Sequence, residues 1–118
     1  MRILIIDDED DLRRIAEVTL AMLGGHSVLV ASGGEAGLAL AKSELPDAIL
    51  LDLMMPGMDG LTTLQHLQAD VTTAGIPVII FTAQGLSDTV ALKRAGAVAV
   101  LSKPFEPEAL AEAVQAIV

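Results

Sequence analysis

Five short apolar runs, separated by segments with helical periodicity, constrain the fold of this chain more than any other feature. The runs are Ile3–Ile6, Val28–Ala31, Ala48–Asp52, Pro77–Thr82 and Val98–Ser102. Short apolar runs bounded by turn residues are typical of strands buried on both faces. Because strands that alternate with helices form parallel sheets, the sequence predicts a parallel sheet covered by helices on both faces.

Right-handed crossovers and short connections leave few arrangements for such a sheet. We predict an α/β fold of the doubly wound, flavodoxin-like type, with five parallel strands in the order 2-1-3-4-5 and five helices. In this arrangement a site forms beyond the carboxyl ends of the strands, where the winding direction reverses.

The helical segments carry start and stop signals. The first helix is predicted to end at Gly24-Gly25, and its predicted inward face consists of Leu12, Ile15, Ala16, Thr19, Met22 and Leu23, with Arg13, Arg14 and Glu17 on the other side. Ser32 and Glu35 have the spacing of a capping box for the second helix, which Gly37 weakens relative to alanine.

The last three helices are predicted in the same way. Asp59-Gly60 opens the third, with Asp59 as a cap rather than a metal ligand, and its predicted inward residues are Leu61, Leu64, Leu67 and Val71. Ser87 is the predicted cap of the fourth helix, which Gly96 ends. Pro107 takes the first position of the fifth, whose inward residues are Leu110, Ala113, Val114 and Ile117.

Composition limits the classes of function. The 118 residues suit one domain, and the absence of cysteine excludes disulfides, thiolate metal sites and cysteine nucleophiles. A formal net charge of −9 argues against direct nucleic-acid binding and fits a divalent cation or a basic partner surface. Because Asp7-Asp8 cuts the first apolar run short, we expect neither a secretory signal nor a membrane span, and therefore a cytoplasmic protein.

Polar residues stand at the predicted carboxyl ends of four strands: Asp7 and Asp8, Asp52, Thr82, and Lys103. Carboxylates brought together there repel one another, and Mg²⁺, which prefers oxygen ligands and bridges to phosphate, relieves the repulsion. A hydroxyl and an ammonium complete a pocket for a tetrahedral dianion. Because phosphoryl transfer needs mainly positioning and charge neutralisation, and a carboxylate can be its nucleophile, the set predicts aspartyl-phosphate chemistry.

These residues lie within four motifs: Ile5-Ile6-Asp7-Asp8-Glu9, Leu51–Gly60, Pro77–Ala83 and Lys103-Pro104-Phe105. With the motifs in this order, the whole chain resembles the receiver domain of bacterial two-component response regulators. The resemblance implies a cytoplasmic signalling switch rather than a turnover enzyme. It also implies a histidine kinase or a histidine phosphotransfer protein as the phosphoryl donor.

The resemblance implies a role for each residue. Asp52 is the phosphoryl acceptor, and Asp7, Asp8, Asp52 and the backbone carbonyl of Met54 are the ligands of Mg²⁺, for which Mn²⁺ can substitute. Thr82 is the switch hydroxyl, and Lys103, which precedes a cis proline at Pro104, pairs with a phosphoryl oxygen. Met54 and Gln84 hold the two variable places beside the phosphate that tune dephosphorylation.

The chain departs from the family pattern at Val100, where receivers usually carry Tyr or Phe. We expect the face of the fourth helix, fifth strand and fifth helix to respond through backbone shifts of the loop after Thr82 or through homodimerisation. Residues 1–118 are expected to form a single receiver domain. The apolar end at Val118 is interpreted as a clipped helix or, preferentially, as a domain cut from a longer response regulator.

Three alternatives compete with this reading. A haloacid-dehalogenase-like phosphatase also uses an Asp nucleophile with Mg²⁺, but its D-x-D arrangement on the first strand differs from the adjacent Asp7-Asp8. A flavodoxin-like electron carrier needs a Ser/Thr-rich phosphate loop and aromatic residues against the flavin, whereas this chain has an acidic loop and no Trp or Tyr. The third alternative is a receiver that does not accept phosphate, against which the intact acidic set argues.

Overall fold

The computed structural model describes residues 1–82, 89–102 and 106–117. Five strands and five helices alternate along these ranges: β1 (Arg2–Ile6), α1 (Asp10–Gly24), β2 (Ser27–Ala31), α2 (Gly34–Glu44), β3 (Ala48–Asp52), α3 (Gly60–Ala69), β4 (Val78–Thr82), α4 (Thr89–Arg94), β5 (Ala99–Ser102) and α5 (Pro107–Gln115). The strands form one parallel sheet in the order β2-β1-β3-β4-β5. The predicted fold class and strand order are therefore confirmed.

The strand residues alternate between two apolar cores, one on each face of the sheet. Leu4 and Ile6 of β1 belong to the core that also contains residues of α2, α3 and α4. Ile3 and Ile5 belong to the opposite core, which α1 and α5 cover. Because β3 and β4 are buried at every position, all of their side chains must be compatible with one of these cores. Asp52 and Thr82 are the polar exceptions, and each is the last residue of its strand.

The predicted inward face of α1 is only partly correct. Ala16 and Thr19 are buried as predicted, but Ile15, Met22 and Leu23 are exposed, Met22 by 79%. Leu20, absent from the predicted face, is fully buried instead. The apolar residues of α1 are spread over several of its faces. Periodicity therefore did not identify the face that the sheet and α5 cover.

Two further corrections concern α2 and α3. The N-cap of α2 is Gly33, one residue after Ser32, so the predicted capping box does not form at its required spacing. In α3, Leu64 and Leu67 are buried as predicted, whereas Leu61 is 39% exposed and Val71, beyond the end of the helix, is 92% exposed.

The remaining signals agree with the structure where it describes them. Gly25 caps α1 in the left-handed region, with φ 65°, and Gly96 after α4 has φ 122°. Pro107 is the first residue of α5, which buries Leu110 and Val114. Ser87 and the Lys103-Pro104 bond lie outside the described residues. Within the described ranges, none of the helices is long and apolar enough to cross a membrane.

Candidate metal and phosphoryl site

The register of the sheet brings three of the predicted site positions to one edge. Ile6 pairs with Leu51, so Asp7 follows β1 at the level of Asp52 on the neighbouring strand. Asp52 in turn pairs with Phe81, which places Thr82 one residue further along β4. The carboxyl ends of three adjacent central strands thus supply these side chains, as the strand order predicts.

Asp7, Asp8 and Asp52 form one cluster. Each offers a carboxylate oxygen, and these oxygens all lie within 4.8 Å of one another. Asp7 and Asp52 are almost completely buried, with exposures of 0% and 1%, whereas Asp8 is half-buried. Three carboxylates that converge in so little solvent carry a strong mutual repulsion, which a multivalent cation would remove.

The hydrogen bonds of the cluster distinguish Asp7 from Asp8. Oδ1 of Asp7 accepts a hydrogen bond of 2.9 Å from the backbone N–H of Glu9. Oδ1 of Asp8 is buried and, among the residues that the structure describes, has no hydrogen-bond partner. Because a buried carboxylate oxygen without a donor is costly, coordination of a cation by this atom would be favourable.

The donor set therefore fits a hard divalent cation. Mg²⁺ prefers carboxylate and carbonyl oxygens and keeps several waters, so a few protein ligands at the rim of a sheet are sufficient. Asp7, Asp8 and Asp52 would hold it. The chemistry that such an ion would supply is positive charge against the oxygens of a phosphoryl group.

Asp52 and Thr82 are the site residues contributed by the ends of β3 and β4. The backbone N–H of Met54 makes a long contact of 3.4 Å with Oδ1 of Asp52, while the side chain of Met54 is 56% exposed. Thr82 is buried, with 2% exposure. Lys103 and Gln84, the other two residues predicted here, lie outside the described part of the chain.

Glycine at position 60 permits the close approach of α3 to the site. A Cβ atom at this position would lie 2.3 Å from the backbone oxygen of Asp52 and 2.6 Å from Cα of Leu53. The amide of Gly60 donates a 2.9 Å hydrogen bond to the oxygen of Leu53. Asp59, just before it, caps α3 by accepting a 2.8 Å hydrogen bond from the amide of Thr62, as predicted.

The pKa of Asp59 is shifted by its position at the start of α3. The hydrogen bond from the Thr62 amide is the main cause, and it lowers the pKa of Asp59 below its ordinary value of 3.8. The same hydrogen bond makes Asp59 the N-cap of α3, which is the role predicted from the sequence.

Sequence reasoning missed one residue that touches the site's backbone. Arg13 was predicted to lie on the side of α1 away from the core, but its side chain is only 19% exposed, and its Nη1 atom donates a 2.8 Å hydrogen bond to the backbone oxygen of Asp7. The available signal was the spacing of Asp10 and Arg13, three residues apart on a helix, which predicts the ion pair that they form.

Val100, the departure from the family pattern, is half-buried and packs against the core that α2, α3 and α4 share with the sheet. Val98, just before β5, is 51% exposed. An aliphatic side chain held in the core has no large ring to exchange between inward and outward positions. A change of the surface around β5 on phosphorylation therefore cannot use rotation of a ring at position 100, and how that surface responds stays a prediction.

Comparison with known proteins agrees with this fold and site. Residues 3–115 match the family described as the response regulator receiver domain. The chain is 42% identical to protein PilH of Pseudomonas aeruginosa, over 98% of this chain and 96% of PilH. It is 38% identical to the probable transcriptional regulator ycf27 of Guillardia theta, over 98% of this chain but only 44% of that protein.

Solved structures give the same result. The chemotaxis protein CheY4 of Vibrio cholerae superimposes with a TM-score of 0.92 at 28% identity, covering 99% of this chain and 98% of CheY4. The class of protein that the fold and the acidic site define is the receiver module of two-component signal transduction. The chain belongs to the response regulator receiver domain family.

Membership of this family argues against two of the three sequence alternatives, the phosphatase and the electron carrier. Receiver domains act as signalling switches, bind Mg²⁺ at an acidic pocket, and interact with histidine kinases or phosphotransfer proteins. The phosphatase and the electron carrier are therefore not supported as readings of this chain.

Proposed function

We propose that this domain accepts a phosphoryl group on Asp52 in a Mg²⁺-dependent reaction. The observation that carries the proposal is the convergence of Asp7, Asp8 and Asp52, whose carboxylate oxygens lie within 4.8 Å of one another. A buried carboxylate at a strand end is the nucleophile, and the two neighbouring carboxylates hold the ion that allows an anionic phosphoryl group to approach it.

The proposal assigns each residue a role. A carboxylate oxygen of Asp52 forms a bond to phosphorus while the P–N bond of a donor phosphohistidine breaks and the imidazole leaves with the electron pair. Asp7, Asp8 and Asp52 would hold Mg²⁺, with the backbone carbonyl of Met54 as a further ligand. The Thr82 hydroxyl donates a hydrogen bond to a phosphoryl oxygen, and Lys103 pairs with another through its ammonium group.

A mass measurement tests the acceptor. The protein is incubated with Mg²⁺ and acetyl phosphate, or with phosphoramidate as a P–N donor, and weighed intact. We expect the parent to gain one phosphoryl group, Asp52→Asn to gain none, and chelation of the metal to abolish the gain. Asp59→Asn is the matched control because it removes a nearby carboxylate but keeps an N-cap side chain. Equal gain in the parent and in Asp52→Asn would contradict the proposal.

We also propose that phosphorylation changes the surface formed by α4, β5 and α5, and that this chain does so without an aromatic switch at position 100. The support is the half-buried, aliphatic Val100 in the strand next to β4. Amide NMR spectra of the phosphorylated sample should show chemical-shift changes along β5 and α5. Light scattering should report any dimer formed through this surface. An unchanged surface in a fully phosphorylated sample would refute this part of the proposal.

A further inference from the structure

The loop that carries Asp7 and Asp8 is held by an arginine from the first turn of the following helix. Nη1 of Arg13 donates a 2.8 Å hydrogen bond to the backbone oxygen of Asp7, and its Nη2 pairs with the carboxylate of Asp10. The arginine side chain is 19% exposed, whereas that of Asp10 is 84% exposed. The guanidinium therefore lies between the loop backbone on one side and a solvated carboxylate on the other.

This contact completes the anchoring of Asp7. The amide of Asp7 donates a 3.1 Å hydrogen bond to the oxygen of Ala31, and its carboxylate accepts one from the amide of Glu9. With Arg13 on the carbonyl, the amide, carbonyl and carboxylate of Asp7 are all bound. The peptide bond is planar, so fixing the Asp7 carbonyl also fixes the plane that contains the amide nitrogen and Cα of Asp8, the atom from which its side chain extends.

The consequence concerns Asp8, whose buried Oδ1 has no hydrogen-bond partner within residues 1–82, 89–102 and 106–117. We infer that Arg13 is a positioning residue for the metal site: it holds the Asp7–Asp8 peptide so that the Asp8 carboxylate is preorganised toward the cation. The inference rests on the metal-dependent function proposed above. Groups that orient ligands from outside the coordination sphere commonly change metal affinity about 10–100-fold when they are removed.

The direction in which metal affinity changes when Arg13 is replaced distinguishes this positioning role from a purely electrostatic one. Arg13 is a cation near three carboxylates, so removing its charge alone would strengthen the binding of a divalent cation. Loss of positioning would weaken that binding. Arg14 is the matched control because it is adjacent, carries the same charge and is exposed.

The test is a titration with Mn²⁺ alone, followed by the electron paramagnetic resonance signal of the free ion, with Mg²⁺ as competitor. We expect Arg13→Gln to weaken Mn²⁺ binding about tenfold or more. Arg14→Gln should stay within about twofold of the parent, because a solvated charge is strongly screened. Arg13→Lys should fall between the parent and Arg13→Gln, since an ammonium replaces the two-pronged guanidinium with a single point of contact.

The outcomes distinguish the inference from the function on which it rests. If the parent binds Mn²⁺ and takes up a phosphoryl group, but Arg13→Gln binds Mn²⁺ as tightly as Arg14→Gln or more tightly, the positioning role is wrong and the proposed function stands. If the parent itself binds no Mn²⁺, both fail. Urea unfolding of each variant identifies loss of fold. If Arg13→Gln does not fold, Arg13→Lys is compared with Arg14→Lys instead, and the positioning role is wrong if Arg13→Lys binds Mn²⁺ as tightly as Arg14→Lys or more tightly.

Discussion

Replacement of Gly37 by alanine sets two effects of known size against each other. Gly37 lies in the interior of α2, where glycine costs about 1 kcal/mol relative to alanine, so helix propensity favours the substitution. A Cβ atom at this position, however, would lie 2.4 Å, 2.7 Å and 3.0 Å from three side-chain carbons of Ile6. The tertiary contact therefore opposes the substitution.

The structure indicates which effect is larger. Ile6 is fully buried in β1, is stiff at χ1 because it is β-branched, and immediately precedes Asp7. Because protein cores are close-packed, we expect a shift of this side chain to be costly, and overpacking of this kind costs about 1–3 kcal/mol. After subtracting the gain in propensity, we expect Gly37→Ala to lower the free energy of unfolding by about 1 kcal/mol, or the Tm by about 4 °C.

Two further variants isolate the steric part. Ala39→Gly, at an exposed position of the same helix, measures the propensity difference directly. Ile6→Val removes Cδ1, the atom of the closest contact, and should recover part of the loss in a double-mutant cycle. Urea unfolding is followed by circular dichroism because the chain contains no Trp or Tyr. A Gly37→Ala protein that is more stable than the parent by the Ala39→Gly difference would refute the steric argument.

Two predictions concern the start of α3. Asp59→Ala should cost about 1 kcal/mol through loss of the N-cap. Because the pKa of Asp59 is lowered in the folded state, its ionisation contributes to the free energy of unfolding above the unfolded pKa near 3.8, and this contribution is lost as pH falls through the folded pKa. When the free energy of unfolding is measured at decreasing pH, Asp59→Asn should lack this pH dependence. Gly60→Ala should displace the backbone of Asp52, with which its Cβ would overlap, and should reduce Mn²⁺ affinity in the same titration used for Arg13, whereas unchanged affinity would show that the loop yields without cost.

Much of the fold could be predicted from the sequence because its signals are local. The apolar runs of β3 and β4 are buried on both faces, and chain chirality with short connections restricts how such strands are joined. The observed strand order is one of the few that remain, and in it Asp7, Asp8 and Asp52 meet because each stands at the carboxyl end of its strand. The clustering of the acidic residues needed no knowledge of side-chain packing.

Other features required the assembled molecule. On α1, Ile15, Leu20 and Met22 are all apolar, and only packing against the sheet and α5 decides that Leu20 is buried while the other two are exposed. The sequence contains a glycine at position 37, but the steric reason for a glycine there is the close approach of Ile6, which lies thirty-one positions earlier in the chain.

Residue type and spacing alone thus determined the α/β class and the acidic residues that stand at the carboxyl ends of the strands, and they limited the strand order to a few arrangements, because these depend on periodicity and on the direction of the chain. Tertiary structure decided which face of α1 is covered, where α2 begins, and that the guanidinium of Arg13 reaches the carbonyl of Asp7. The physical reason is that burial and hydrogen bonding between elements depend on distances that periodicity within one element does not specify.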